Sequence, residues 1–202
     1  QELCPFIGPP LLDSFQEFYR LSEAQAQEAI LKYRERFATV GWLENEVYPG
    51  MPELLDRLCQ AGKTMMVATS KPEVFARKIL DHFQLAAYFS FVGGATLDGV
   101  RSTKEEVIDY VLKTKEVVSL SEVIMVGDRK FDILGAKHAG VSSVGCVYGY
   151  GSRGLCGRFD RGATELTFTV NECASCRLWS LSVGITSDSN PVMLDYRISI
   201  AP

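Results

Sequence analysis

The stretch VIMVGDRKFDILGAKHAG, residues 123–140, decides how the rest of the chain is read. Val123 to Val126 make a continuous apolar run that stops at Gly127, and Asp128, Arg129, Lys130, Phe131 and Asp132 follow at once. A run without polar alternation is expected of a strand covered on both faces. The segment after it, closed by Gly140, reads as a helix. A buried strand that runs straight into a helix is the unit of a parallel sheet, and such sheets bind ligands outside the carboxyl ends of their strands. Asp128 stands at that end and Asp132 one helical turn later, so the two carboxylates face the same way.

Working outward, the same alternation recurs from Met51 on. MPELLDRLCQAG reads as a helix ended by Gly62, TMMVAT as a strand, PEVFARKILDHF as a helix and FSFVGG as a strand. KEEVIDYVLKT reads as a helix and, beyond EVIMVG and DILGAKHAG, SSVGCVYG is a further strand. LTFTV, 166–170, is expected to complete the series. The pattern is that of a parallel sheet with helices on both faces.

Residues 1–47 read differently, as helix alone. In SEAQAQEAILKYRERF, Ser22 and Gln25 have capping-box spacing, and Ala26, Ile30, Tyr33 and Phe37 fall on one stripe. FIGPPLLDSFQEFY turns at Gly8, Pro9 and Pro10 and places Leu12, Phe15 and Tyr19 at helical spacing. Three regions are therefore expected: a helical part over 1–47, an α/β core over 48–176, and a tail over 177–202 that is rich in serine and has no assigned role. The chain opens on Gln1 and passes at once into apolar, proline-rich sequence, which gives the expectation of a segment cut from something longer.

Composition narrows the function. With 202 residues, 47% of them hydrophobic, the chain can fill an ordinary core. Its 21 Lys plus Arg against 25 Asp plus Glu leave a formal charge of -4, so no electrostatic footprint for nucleic acid or an anionic membrane is expected. No apolar run approaches the roughly 20 residues that span a bilayer, and no signal-peptide pattern opens the chain, so a cytoplasmic location is the default expectation. The six cysteines are scattered, as expected of reduced, mostly buried thiols. Cys173 and Cys176 alone have metal-like spacing, and His82 and His138 lie too far off to complete a zinc site.

Three stretches carry candidate chemistry. Two carboxylates held close, as at Asp128 and Asp132, repel each other unless a cation sits beside them, and Mg2+ favours one or two carboxylates with phosphate oxygens and water. In VATSKPEVF, Thr69 and Ser70 leave a buried strand for a helix marked by Pro72 and by Glu73 in capping-box spacing to Ser70. Hydroxyls and open N–H groups at such a junction suit phosphoryl oxygens. In RSTKEEVIDYV, Ser102 with Glu105 or Thr103 with Glu106 caps a helix, which puts Lys104 in the first turn, where the helix dipole disfavours a cation. Taken singly, each is explained as well by an ordinary helix cap or a surface lysine.

Jointly, a hydroxyl, a lysine and a Gly-Asp with a second Asp four residues on resemble the haloacid dehalogenase superfamily of phosphotransferases. The chain looks most like its phosphoglycolate-phosphatase-type hydrolases with a small helical cap. The resemblance covers about residues 2–172 and rests on FIGPPL, YPG, VATSKP, STKEEVI, VGDRKFDILGAKHAG and VYGYGS. It implies a Rossmann-like parallel sheet with a small all-helical cap, and a Mg2+-dependent phosphatase acting on a small phosphorylated metabolite through an aspartyl-phosphate. It also implies roles: Thr69, helped by Ser70, holds the phosphoryl group; Lys104 neutralises its charge; Asp128 binds Mg2+; and Asp132 positions Lys104 or supports the metal shell.

The attacking aspartate and the acid two residues later belong, in that family, to an Asp-x-Asp-Gly-Thr motif on the first, central strand. Residues 1–202 contain no such motif, so that strand is expected to be missing, between the strands ending at Thr69 and Asp128. An alternative is that PVMLDYRISI, 191–200, fills the vacant place, with Asp195 as nucleophile and Arg197 where the acid should be. From another class comes a non-catalytic phosphate-binding or regulatory protein that has lost the nucleophile. A nucleotide-binding module is weaker, because VGGATLDG lacks the spacing and the lysine of a phosphate loop.

Overall fold

The computed structural model describes Phe6, residues 9–146 and three short strands further on, 165–168, 181–184 and 192–194. Two helices come first. Helix α1 (Leu11–Tyr19) starts directly after Pro10 and is closed by Arg20 in the left-handed region. Helix α2 (Glu23–Thr39) starts at the expected capping box, in which Gln25 N–H donates to Ser22 Oγ and Ser22 N–H donates to Gln25 Oε1. Of the expected stripe, Ala26, Ile30 and Phe37 are buried, whereas Tyr33 stays 41% exposed.

The core alternates as the sequence predicts. Helix α3 (Met51–Gln60) leads into β1 (Met65–Pro72), then α4 (Glu73–His82), β2 (Phe89–Ala95), α5 (Lys104–Thr114), β3 (Ile124–Gly127), α6 (Lys130–Ala139) and β4 (Ser142–Gly145). Successive residues of β1 point to opposite faces, so one strand feeds two cores. Met65 and Val67 pack with Leu55 and Leu58 of α3 and with Ala76, Ile79 and Leu80 of α4. Met66 and Ala68 pack with Val107, Ile108 and Val111 of α5, Met125 of β3 and Ala136 of α6. Each large apolar side chain fully buried in this way contributes about 1.5–3 kcal/mol. Among the described residues, no helix is long and apolar enough to cross a membrane. Cys59 is exposed rather than buried as expected of most cysteines, and Cys146 is buried; both are free thiols.

The later strands differ from expectation. Strand β5 (Glu165–Phe168) does not complete the parallel sheet; it pairs antiparallel with β6 (Leu181–Gly184) in a separate two-stranded sheet. Strand β7 (Val192–Leu194) lies between β1 and β3, giving the order β2-β1-β7-β3-β4. It runs parallel to both neighbours, with Met193 opposite Met66 on one side and Met125 on the other. The central place expected to be missing is therefore held by a piece of the C-terminal tail. The physical reason is backbone pairing: without a strand there, β1 and β3 would bury unpaired N–H and C=O groups, and a short apolar run satisfies them. Asp195 and Arg197, which follow this strand in sequence, lie outside the described residues.

Helix α5 is capped by Thr103 and Glu106, not by Ser102 and Glu105: Glu106 N–H donates to Thr103 Oγ1, and the Glu106 carboxylate accepts from the N–H groups of Ser102 and Thr103 at 2.8 and 2.9 Å. The Thr103 and Ser102 amides hold the Glu106 carboxyl below its ordinary pKa. Because the folded-state pKa is lowered, the stability Glu106 adds is complete above the ordinary carboxylate range and is lost as pH falls through the lowered value. Urea titrations in progressively acidic buffer are expected to show this loss, and Glu106→Gln to lack that part of the pH dependence. Met193→Pro, which removes a donor from the middle of β7, is expected to destabilise the chain by about 2–3 kcal/mol in the same titration.

Candidate functional site

Strand β1 delivers Thr69 to its carboxyl end, where the pairing with β2 changes register between Thr69 and Pro72. Thr69 is 2% exposed, and its Oγ1 accepts the N–H of Lys71 at 3.2 Å, which folds the backbone back on itself beyond the strand. Ser70 follows, half-buried. The expected capping box between Ser70 and Glu73 does not form: α4 is capped by Pro72 with no side-chain bond. Glu73 instead serves as an anchor between elements. Its carboxylate accepts from Arg77 Nη2 at 2.9 Å, Arg101 Nη2 at 3.3 Å and the N–H of Gly94 at 3.4 Å.

Gly94 explains why this turn sits so close to β2. A Cβ there would meet the Lys71 carbonyl oxygen at 2.6 Å and Glu73 Cα at 2.7 Å, so only glycine admits the approach. Arg101 completes the support: its Nε donates to the Gly94 carbonyl at 2.8 Å, and its guanidinium lies 3.6 Å from the centroid of the Tyr110 ring.

Lys104 is the first residue of α5, the position where the dipole disfavours a cation, and it is nonetheless almost wholly buried. Two acceptors hold it. Its Nζ donates to the Ala68 carbonyl at 2.8 Å, one residue before Thr69, and forms an ion pair with Asp132 Oδ1 at 3.0 Å. The paired side chains are 1% and 0% exposed. The other oxygen of Asp132 accepts the Arg129 N–H at 2.9 Å, at the start of α6. Both carboxylate oxygens thus have partners within the protein, so of the two roles implied for Asp132, the positioning of Lys104 matches its contacts.

Two glycines make room for the pair. A Cβ on Gly127 would collide with the Asp132 carboxylate, and one on Gly135 would press on the stem of Lys104, at 2.9 Å from Cγ. Asp128, 8% exposed, follows Gly127 at the carboxyl end of β3. The structure accordingly ties Lys104 to Asp132 directly and to β1 through the carbonyl of Ala68, next to Thr69, and Asp128 stands at the carboxyl end of β3, on the same rim of the sheet. Ser70 adjoins Thr69 in the same turn. Among the described residues, no group of three or more His, Cys, Asp or Glu could hold a metal ion. Asp128 is a hard oxygen donor of the type Mg2+ accepts, and Mg2+ is commonly held by one or two carboxylates with phosphate and water completing its shell, so the donor chemistry fits that ion.

In the N-terminal helices, Arg34 donates from Nη1 to the Leu97 carbonyl at 2.7 Å, Tyr19 packs with Phe6 and Phe15, and Arg20 closes α1. Sequence reasoning passed over Gly94, Arg101 and Gly135 as parts of the site and took Glu73 for a helix cap alone. Only Gly135 left a trace in the text, since glycine inside a helix costs about 1 kcal/mol relative to alanine and calls for a packing reason.

Comparison with known proteins adds the identity. Residues 1–146 match the family described as haloacid dehalogenase-like hydrolase. A Pseudomonas aeruginosa protein named 5'-nucleotidase is 48% identical over 147 residues, 73% of this chain and 66% of that protein. A Mycobacterium tuberculosis protein named tyrosine-protein kinase PtkA is 37% identical over 72% of this chain and 49% of its own length. A Vibrio parahaemolyticus phosphoglycolate phosphatase is 35% identical over 71% and 63%. The chain therefore spans about half to two thirds of the length of these relatives. Among solved structures, that of a predicted phosphatase from Clostridium acetobutylicum superposes with a TM-score of 0.74 at 44% identity, over 76% of this chain and 71% of that one. With its parallel sheet and Rossmann-like core, the chain belongs to the haloacid dehalogenase-like hydrolase family.

Proposed function

We propose that this chain provides the phosphate- and cation-handling part of a Mg2+-dependent phosphomonoester hydrolase that works through an aspartyl-phosphate. Its substrate is a small phosphorylated metabolite, of the phosphoglycolate or nucleoside monophosphate type. The observation that carries the reading is the buried ammonium of Lys104, fixed by Ala68 and Asp132 at the end of β1, one residue from the Thr69 hydroxyl. A fixed cation and a hydroxyl in a site shielded from water stabilise the negative charge that spreads over the phosphoryl oxygens during transfer.

In this reading Thr69 and Ser70 orient the phosphoryl group by hydrogen bonds, Lys104 neutralises its charge, and Asp132 keeps Lys104 in place. Asp128 would hold Mg2+, which would supply further positive charge to the phosphoryl oxygens. A carboxylate attacks phosphorus, the alcohol leaves with a proton, and water then hydrolyses the acyl phosphate. The nucleophile and the acid have no Asp-x-Asp motif in residues 1–202, so the residues present bind and polarise the ester without completing the reaction.

Two measurements test this. Hydrolysis of an aryl phosphate with Mg2+ is expected to be absent in this chain and present once a strand ending in Asp-x-Asp is added upstream. Turnover in the unextended chain that vanishes in Asp195→Asn would assign the nucleophile to the tail instead. Inorganic phosphate binding without turnover even in the extended chain would favour the non-catalytic reading.

The ion pair gives a second, separable prediction. Lys104→Met leaves Asp132 buried without its cation and is expected to cost about 3–5 kcal/mol of stability along with phosphate binding. Lys104→Met combined with Asp132→Leu is expected to recover most of the stability in urea titration while phosphate binding, read by calorimetry, stays lost.

A further inference from the structure

Phe37 and Tyr33 lie one turn apart on α2, with their rings stacked at 5.5 Å between centroids and 20° between planes. Phe37 is buried. It meets Phe75 of α4 edge-on at 5.0 Å, and the ammonium of Lys71 stands 4.6 Å from its ring centroid. Lys71 is the residue whose N–H donates to Thr69 Oγ1. The aromatic stack therefore begins at the turn that carries Thr69 and ends at Tyr33. The rotation of α2 is fixed by Arg34, whose guanidinium holds the Leu97 carbonyl in the loop after β2, so this face of α2 is kept beside the carboxyl ends of β1 and β2.

Tyr33 combines two properties seldom found together. It is 41% exposed, yet loss of hydration is the chief cause that pushes its phenol above the ordinary pKa. Were Tyr33 only a cover for Phe37, any apolar side chain of similar bulk would serve; an aromatic ring lying parallel on another offers in addition a flat face, at low conformational cost.

We infer that Tyr33 is a stacking platform for a flat aromatic ring on the alcohol side of the phosphomonoester, so that the site prefers nucleoside 5'-monophosphates to esters lacking a base. The inference rests on the phosphate-site reading above. Stacking of a base on an aromatic side chain tolerates any base, because each has a π-face, so a preference for the presence of a base rather than for its identity follows.

The test is calorimetric titration of the 202-residue chain with adenosine 5'-monophosphate and with ribose 5-phosphate, which carries a hydroxyl in place of the base. The nucleotide is expected to bind about tenfold more tightly. Tyr33→Phe keeps that ratio, whereas Tyr33→Leu, which preserves apolar cover over Phe37 without a π-face, brings it near one. A ratio near one in the unaltered chain, or a ratio that survives Tyr33→Leu, overturns the platform while leaving the phosphate site standing. Failure of both ligands and of inorganic phosphate to bind overturns the phosphate-site reading and the platform with it.

Discussion

The buried pair of Lys104 and Asp132 is the interaction on which the rest of the site depends. Taking an ammonium and a carboxylate out of water is costly by several kcal/mol per ion, and the mutual attraction offsets that cost only where further hydrogen bonds complete the shell. Here they do: the ammonium also holds the Ala68 carbonyl, and the carboxylate also holds the Arg129 amide. Each of these contacts reaches a different element. The pair therefore fixes the end of β1, the first turn of α5 and the start of α6 relative to one another, and Thr69 and Asp128 are carried along by the backbone on either side.

That arrangement explains a violation of local preference. A cation at the first position of a helix works against the dipole, and the capping box at Thr103 and Glu106 compensates by satisfying the amides around it. The glycines at 127 and 135 are the steric counterpart, since any side chain there would push into the pair. Charge, cap and missing side chains thus serve one geometry.

The core was legible in the sequence because its signals are local. Continuous apolar runs marked β1 and β3, KEEVIDYVLKT marked α5 from its first residue to its last, and the capping box at Ser22 fixed the start of α2. Thr69, Lys104 and Asp132 were readable from their positions at element ends. What failed was non-local. Glu73 looked like the partner of Ser70 three residues earlier, and it is held by Arg101 and Gly94 from other elements. The strand at 166–170 carried strand-like residues, yet nothing in its text distinguishes a place in the main sheet from a separate ribbon. Tyr33 fell on the apolar stripe of α2 by periodicity, and packing leaves it partly exposed.

The central strand β7 is paired over three residues on each side, against the longer ladder that joins β1 to β2. A sheet is only as rigid as its least-connected seam, and here that seam runs between the strand carrying Thr69 and the strand carrying Asp128. Helix α5 and its ammonium bridge the two halves from one face. Sub-global opening would begin along this line, parting the hydroxyl side of the site from the carboxylate side and splitting the hydrophobic layer in which Met66 and Ala68 of β1 meet Met125 of β3.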